Sequence, residues 1–309
     1  MIKYSIVVPA FNEEEGLKLF YQAAVQAFDG LQEAYELIFV NDGSRDKTKE
    51  ILKELCAQDA KVKAVHFSRN FGQQAAILCG LEKASGEAVI VMDADLQDPP
   101  SVAIEMIEKW KQGYQIVHGK RRSRKQDKPF KRWTAKLFYK KAQSITGLQI
   151  PQNVGDFKLY DQKVVQAILS MPEHDRLLRL QTSWLGFSQT EVEFDRPARV
   201  AGEGHYTFKK MFSLACGGIF PNSNFPLGFA WKAGVFFTGV SMIALLAFLI
   251  LSIAKVEFGG LVAWIFPALG LCTGLLFMGQ AVQNLKLQMI YKEVQNRPKY
   301  VVDEEENFQ

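Results

Sequence analysis

Three carboxylates and an amide stand within six positions of this chain, Asp93, Asp95, Gln97 and Asp98, in the stretch A-V-I-V-M-D-A-D-L-Q-D-P-P from Ala88 to Pro100. Hard oxygen ligands at such spacing suit Mg²⁺ or Mn²⁺, with substrate phosphates completing the shell. An isolated D-x-D also fits an Asp-rich solvated turn. Here the apolar run Ala88–Met92 reads as a buried strand, and Pro99–Pro100 ends it and opens a helix. Carboxylates at the carboxyl end of a parallel strand lie where open α/β sheets bind ligands. Side chains two apart in a strand share a face, so Asp93 and Asp95 are expected to look into one crevice.

Two further loops carry chemistry. Pro9-Ala10-Phe11-Asn12-Glu13 follows a β-rich run at Ile2–Val8, and Asn41-Asp42-Gly43-Ser44 follows a second at Tyr35–Val40. A carboxylate such as Asp42 suits ribose hydroxyls or the N–H edge of a base. A helix-capping turn residue fits it as well. Ser44 reads as an N-cap for a helix at Lys47–Ala57. Neither a G-x-G-x-x-G nor a P-loop is present, so nucleotide binding would fall to Asp42 and the Pro9–Glu13 loop.

These residues need a scaffold, and the periodicity supplies one. Leu17, Phe20, Ala24 and Phe28 recur at helical spacing, Val62–Phe67 reads as a strand, and Gln73–Ala84 reads as a helix. Repeated strand–loop–helix units predict an α/β doubly wound parallel sheet, and right-handed crossovers put the loops on one edge. Gln115–Gly119, Gly155–Tyr160 and Thr190–Phe194 read as later strands.

The chain has 309 residues and a formal charge of +4, enough for one sizeable domain and an appendage. Its mean hydropathy of −0.05 conceals two uncharged runs, Ala233–Ala254 and Gly259–Val282. Each reaches the ~20 residues needed to span a bilayer. Basic residues flank their outer ends, which places both termini in the cytosol. Lys120–Lys141 carries eleven Lys or Arg against one acid, interleaved with Phe130, Trp133, Leu137 and Phe138. That pattern fits anionic lipid, nucleic acid or a solvated helix, and the apolar runs downstream favour lipid over nucleic acid. From Tyr206, Phe208, Met211 and Phe212 mark a further interfacial helix. Four scattered cysteines predict neither a disulfide framework nor a zinc site. The N-terminus has too short an apolar run for a signal peptide, and the acidic tail Asp303–Glu306 reads as disordered. The expected organisation is a cytosolic catalytic domain at 1–204, an amphipathic segment at 205–226, two transmembrane helices at 227–285 and a cytosolic tail at 286–309.

Five stretches in order resemble one family: V-V-P-A-F-N-E (Val7–Glu13), V-N-D-G-S-R-D-K-T (Val40–Thr48), D-A-D-L-Q-D-P-P (Asp93–Pro100), G-D-F-K-L-Y (Gly155–Tyr160) and R-V-A-G-E-G-H-Y (Arg199–Tyr206). The chain resembles the family-2 inverting glycosyltransferases that load sugars onto polyprenyl phosphate, relatives of dolichyl-phosphate mannose synthase. The resemblance implies a GT-A fold, a nucleotide-sugar donor with uracil the expected base, and Mg²⁺ or Mn²⁺. It also implies a polyprenyl-phosphate acceptor in a bacterial cell membrane; relatives with this hairpin can assemble as tetramers, which leaves a homo-tetramer open for this chain. Pro9, Ala10, Phe11, Asn12, Glu13, Asp42, Asp93 and Ala94 would hold the nucleotide. Asp95 and Gln97 would hold the metal, and Arg121, Arg124, Arg179 and Arg199 the donor and acceptor phosphates. Asp93, Asp95, Arg121 and Arg199 would carry catalysis. Gly204 and His205 stand where the family has Ser and Lys, and Phe11 where it often has Tyr. A processive polysaccharide synthase is the enzymatic alternative, but Gln181-Thr182-Ser183-Trp184 lacks the Arg of its Q-x-x-R-W sequence. A membrane-tethered nucleotide-binding subunit is the non-enzymatic one.

Overall fold

The computed structural model describes residues 2–122, 154–172, 178–195 and 297–308, with scattered helical positions between 250 and 296. The chain divides into two units, one of residues 1–207 with 297–309 and one of residues 208–296. Among the described residues no helix is long and apolar enough to cross a membrane. The two apolar runs lie largely outside the described residues. So do the amphipathic helix from Tyr206 and the basic segment beyond Arg122.

The first unit is built on one eight-stranded sheet. Its strands are β1 (Tyr4–Ala10), β2 (Tyr35–Asn41), β3 (Val62–Phe67), β4 (Ala88–Val91), β5 (Ile116–Arg121), β6 (Val154–Asp161), β7 (Gln189–Phe194) and β8 (Val302–Glu306), in the order β7-β5-β6-β4-β1-β2-β3-β8. Its helices are α1 (Leu17–Asp29), α2 (Thr48–Gln58), α3 (Gln73–Lys83), α4 (Pro100–Lys111), α5 (Gln162–Ser170) and α6 (Leu178–Leu185). β1 to β4 are mutually parallel, so the loops that follow them share one edge. Alternation along β1 assigns its residues to two cores. Tyr4, Ile6 and Val8 pack with Leu17, Phe20 and Phe28 of α1 and with residues of α2 and α4. Val7 lies on the opposite face with Ala76, Ile77 and Cys79 of α3 and Val164, Val165 and Ile168 of α5. The four apolar positions that predicted the first helix are its four buried residues.

Three expectations need correction. The sheet is not wholly parallel: β6 runs antiparallel between β4 and β5, and β8 antiparallel against β3. The tail expected to be disordered is β8 itself, because its carboxylates find lysines. Lys49 pairs with Asp303 and Glu304 at 3.0 Å, Lys53 with Glu304 at 2.5 Å, and Lys83 with Glu305 at 2.7 Å. Finally, β1 runs through Pro9 to Ala10 rather than stopping at Val8. In a parallel strand, alternate residues direct their N–H and C=O to the same neighbour. The Val7 carbonyl accepts from Met92 N–H at 3.1 Å on the β4 side, and the Ala10 carbonyl from Asp42 N–H at 2.9 Å on the β2 side. The amide that Pro9 lacks would therefore face β4, which has already turned away after Val91, so no ladder bond is lost.

Candidate active site

The carboxyl edge of β1 and β2 carries two loops joined by five cross-links. Asn12 N–H donates to Ser44 Oγ at 2.9 Å, Glu13 N–H to Thr48 Oγ1 at 2.9 Å and Glu14 N–H to Asp46 Oδ2 at 3.2 Å. In return Arg45 N–H donates to Asn12 Oδ1 at 2.9 Å and Lys47 N–H to Glu14 Oε2 at 3.0 Å. Asn12 holds φ at 56°, a left-handed position that Asn tolerates. Ser44 is therefore not the N-cap of α2. Its hydroxyl serves the neighbouring loop, and Thr48 N–H is taken by Asp46 Oδ1 at 3.1 Å. The result is a fixed backbone ridge from Pro9 to Glu13, with Ala10 buried and the Phe11 ring 38% exposed beside it. An exposed aromatic on a fixed ridge suits a planar base.

Asp42 is buried and occupied. Its Oδ1 accepts Phe71 N–H at 2.6 Å, and its Oδ2 accepts Gly72 N–H and Asn70 Nδ2, each at 2.9 Å. Burial raises its pKa above the ordinary carboxyl value, against the opposing pull of the two amides and Arg69. It thus holds the β3–α3 loop in place. An ionised carboxylate has about four lone-pair sites, so acceptor capacity is left for a ribose or base beyond the three bonds it accepts. The two readings of Asp42, turn organiser and ligand, are compatible.

The acidic cluster is not on a strand. β4 ends at Val91, and Asp93 to Asp98 form a turn with Leu96 at φ 57°. The shared strand face expected for Asp93 and Asp95 therefore does not exist, and internal hydrogen bonds set their directions instead. Asp95 Oδ1 accepts Gln97 N–H at 3.1 Å, and Asp98 Oδ2 accepts Asp93 N–H at 3.4 Å. Asp95, Ala94 and Asp98 are all buried. Among the described residues no group of three His, Cys, Asp or Glu side chains gathers as a metal centre by itself. The donor set still fits a hard cation that also takes oxygens from a bound diphosphate, as Mg²⁺ commonly does.

Two residues not singled out in the sequence reach into this edge from the first turn of α3. Gln73 Nε2 donates to Asp93 Oδ1 at 2.8 Å, and Gln74 Nε2 to Asp156 Oδ2 at 3.3 Å. Their signal was position alone, since a helix that follows a parallel strand starts at the ligand edge. Asp156 and Arg121 reach the same edge through the antiparallel strand, because Lys120 at the end of β5 pairs with Val154 at the start of β6. A Cβ on Gly155 would come within 3.2 Å of Arg121 Nη2, so that guanidinium lies against the Gly155–Asp156 backbone. Lys120 is less available, held by Glu191 at 2.8 Å and Glu193 at 3.0 Å. Arg124 and Arg199 lie outside the described residues, as does the side chain of Arg179 in α6.

A layered α/β sheet with its loops and an acidic turn gathered on one edge is the Rossmann-like GT-A architecture. The chain belongs to glycosyl transferase family 2, whose model matches residues 5–169. It is 41% identical over 303 residues to the uncharacterised glycosyltransferase YkcC of Bacillus subtilis (strain 168), covering 97% of this chain and 93% of that one. It is 39% identical over 306 residues to the bactoprenol glucosyl transferase of Shigella phage SfII, covering 97% of each. The glucosyl-3-phosphoglycerate synthase of Mycobacterium tuberculosis, solved with Mn²⁺, UDP and phosphoglyceric acid, aligns at 17% identity and a TM-score of 0.47. That match covers 69% of this chain and 75% of the other, a likeness too loose to bear on ligands.

Proposed function

We propose that this enzyme transfers a hexose, with inversion, from a nucleotide sugar (UDP-linked) to polyprenyl phosphate at the cytosolic face of a bacterial cell membrane. The product would be a polyprenyl-phosphate sugar for cell-envelope glycosylation. The observation that carries this reading is near-full-length similarity to bactoprenol glucosyl transferases, 37–39% identical over 306–309 residues. The carboxyl-edge geometry supports it.

In this reading the Pro9–Glu13 ridge and Asp42 take the nucleoside, with Phe11 against the base. Asp95 and Gln97 would hold Mg²⁺ or Mn²⁺, and such an ion, when bound, neutralises charge on a diphosphate leaving group. Asp93, fixed by Gln73, faces the donor. Arg121, with Arg124, Arg179 and Arg199, would take the donor and acceptor phosphates, because forked guanidinium groups match phosphate oxygens. A phosphate monoester has a second pKa of about 6 and is already largely a dianion at neutral pH. No carboxylate base is then required, and Asp156, tied to Gln74, serves to order the loop. Residues 227–285 form the membrane hairpin in this reading, with membrane lipid around them and a homo-tetramer as the assembly.

Membranes carrying the protein, incubated with a panel of radiolabelled nucleotide sugars and then solvent-extracted, test the proposal. Label should pass to lipid from one donor and be lost with excess chelator. Asp95→Asn should lower the rate roughly 100-fold or more, since a bound ion supplies several kcal/mol of charge stabilisation. Full activity in that variant would remove the metal assignment, and no lipid-borne label from any donor would remove the acceptor.

A further inference from the structure

The segment that follows the second unit is bound to the donor edge by more than strand pairing. β8 lies against β3 with Phe67 opposite Val302, and Ser68 N–H donates to the Val301 carbonyl at 3.0 Å. The Tyr300 ring stacks on Phe67 with centroids 4.8 Å apart and planes 14° apart. Phe67 meets Phe71 edge to face at 5.7 Å, and Phe71 carries the Arg69 guanidinium 4.0 Å above its ring. Phe71 N–H is in turn the closest donor to Asp42, at 2.6 Å. A continuous series of contacts therefore runs from Tyr300, through two rings and one loop, to the carboxylate assigned to the nucleoside. At its outer end the Tyr300 hydroxyl donates to Glu82 of α3.

We propose that Tyr300 is a positioning residue for the nucleotide donor. By stacking on Phe67 it fixes Phe71, and so sets the Ser68–Gly72 loop against Asp42. The donor pocket is then complete only when the C-terminal segment is docked. This inference rests on the donor reading of Asp42 given above. The loop needs such a support because Gly72 stands at φ 100°, a conformation open to glycine and closed to side chains that would otherwise stiffen it. Ring pairs of this kind are favourable beyond the apolar area they bury. The lysine–carboxylate pairs along β8 are partly exposed and are individually weak. The rings, more than the charges, therefore transmit the position of the tail to the site.

The test uses the full chain in detergent, with UDP as the probe in equilibrium binding and with steady-state kinetics on the active donor. Tyr300→Leu keeps an apolar side chain and removes the ring, while Tyr300→Phe keeps the ring and removes the bond to Glu82. Tyr300→Leu should weaken UDP binding about fivefold, the equivalent of one ring pair. It should raise donor KM in proportion and leave kcat and acceptor KM unchanged. Tyr300→Phe should return both to near the wild-type values. Phe71→Leu, which breaks the series from inside the loop, should repeat the donor-selective loss and decides the matter if Tyr300→Leu does not fold. Unchanged UDP affinity in the folded ring-deleted variants would overturn the inference alone, as would an equal loss in kcat and both KM values. Wild-type protein with no affinity for UDP would overturn the donor reading and this inference with it.

Discussion

His66 on β3 and His118 on β5 are buried towards opposite ends of the sheet, and their surroundings fix their protonation. Asn41 Oδ1 is occupied by Ser44 N–H at 3.0 Å, so the Asn41 amide nitrogen faces His66 Nδ1 at 3.1 Å and must donate to it. His66 Nδ1 is therefore an acceptor and the ring is neutral. Burial first, and then the nearby Lys49 and Lys53, lower its pKa to about 4, with Glu304 and Asp303 opposing. His118 is lowered to about 4 by burial and by Lys158, against its bond to Gln189 at 2.8 Å. Both folded values lie below the ordinary histidine value of about 6.5. The unfolded chain thus binds protons more readily, and the stability gained from neutral rings is complete above pH ~6.5 and lost as pH falls toward ~4. Thermal melting of the full chain should show Tm falling through that window. His66→Asn, which cannot titrate, should make the fall shallower, and an unchanged slope would remove His66 from the account.

At the scale of elements, the site depends on how closely two loops approach. Gly43 has φ 65°, and a Cβ there would come within 2.3 Å of the Arg69 carbonyl carbon. The β2–α2 loop can thus lie directly on the β3–α3 loop that Asp42 holds. Gly43→Ala combines a strained backbone with an overlap against main chain that cannot rotate away. A destabilisation of roughly 1–3 kcal/mol is expected, read as a lower denaturant midpoint at constant slope. UDP affinity should fall as well, because the loop must move off Asp42. Gly43→Ala with wild-type stability and UDP affinity would show that the approach is less tight than the geometry states.

The whole molecule is discontinuous in sequence. The catalytic unit takes residues 1–207 and 297–309, so the unit of residues 208–296 is an insertion between β7 and β8. Ending the chain near Phe225 removes the apolar runs and β8 together. The edge of β3 is then bare, and an unpaired strand edge is a template for aggregation. Joining residues 1–207 to 297–309 through a flexible linker keeps the sheet intact. The joined chain should elute as a soluble species and bind UDP, yet lose activity on acceptor embedded in a bilayer. The chain cut near Phe225 should aggregate and bind UDP poorly. Equal behaviour of the two in size-exclusion chromatography and UDP binding would show that β8 is dispensable to the unit.

Periodicity determined the strand–loop–helix units of the first hundred residues and the buried face of α1, and residue types marked the turn at Asp42, whereas the strand face expected for Asp93 and Asp95 is a turn and Pro9–Ala10 belongs to β1. Those signals are local: apolar spacing selects an element, and crossover handedness sends successive loops to one edge. Pairings between distant segments have no such signal. Nothing within G-D-F-K-L-Y specifies that β6 runs antiparallel between β4 and β5, yet that direction brings Asp156 and Arg121 to the ligand edge. The run V-D-E-E-E reads as a solvated tail until Lys49, Lys53 and Lys83 are known to lie beside it. Asp42 could be read as capping residue or ligand because its type fits both, and only the approach of Phe71 and Gly72 shows what its oxygens hold. Local sequence set the elements and the kinds of chemistry available. The tertiary structure decided which groups meet, because strand order and direction depend on contacts between residues far apart in the chain.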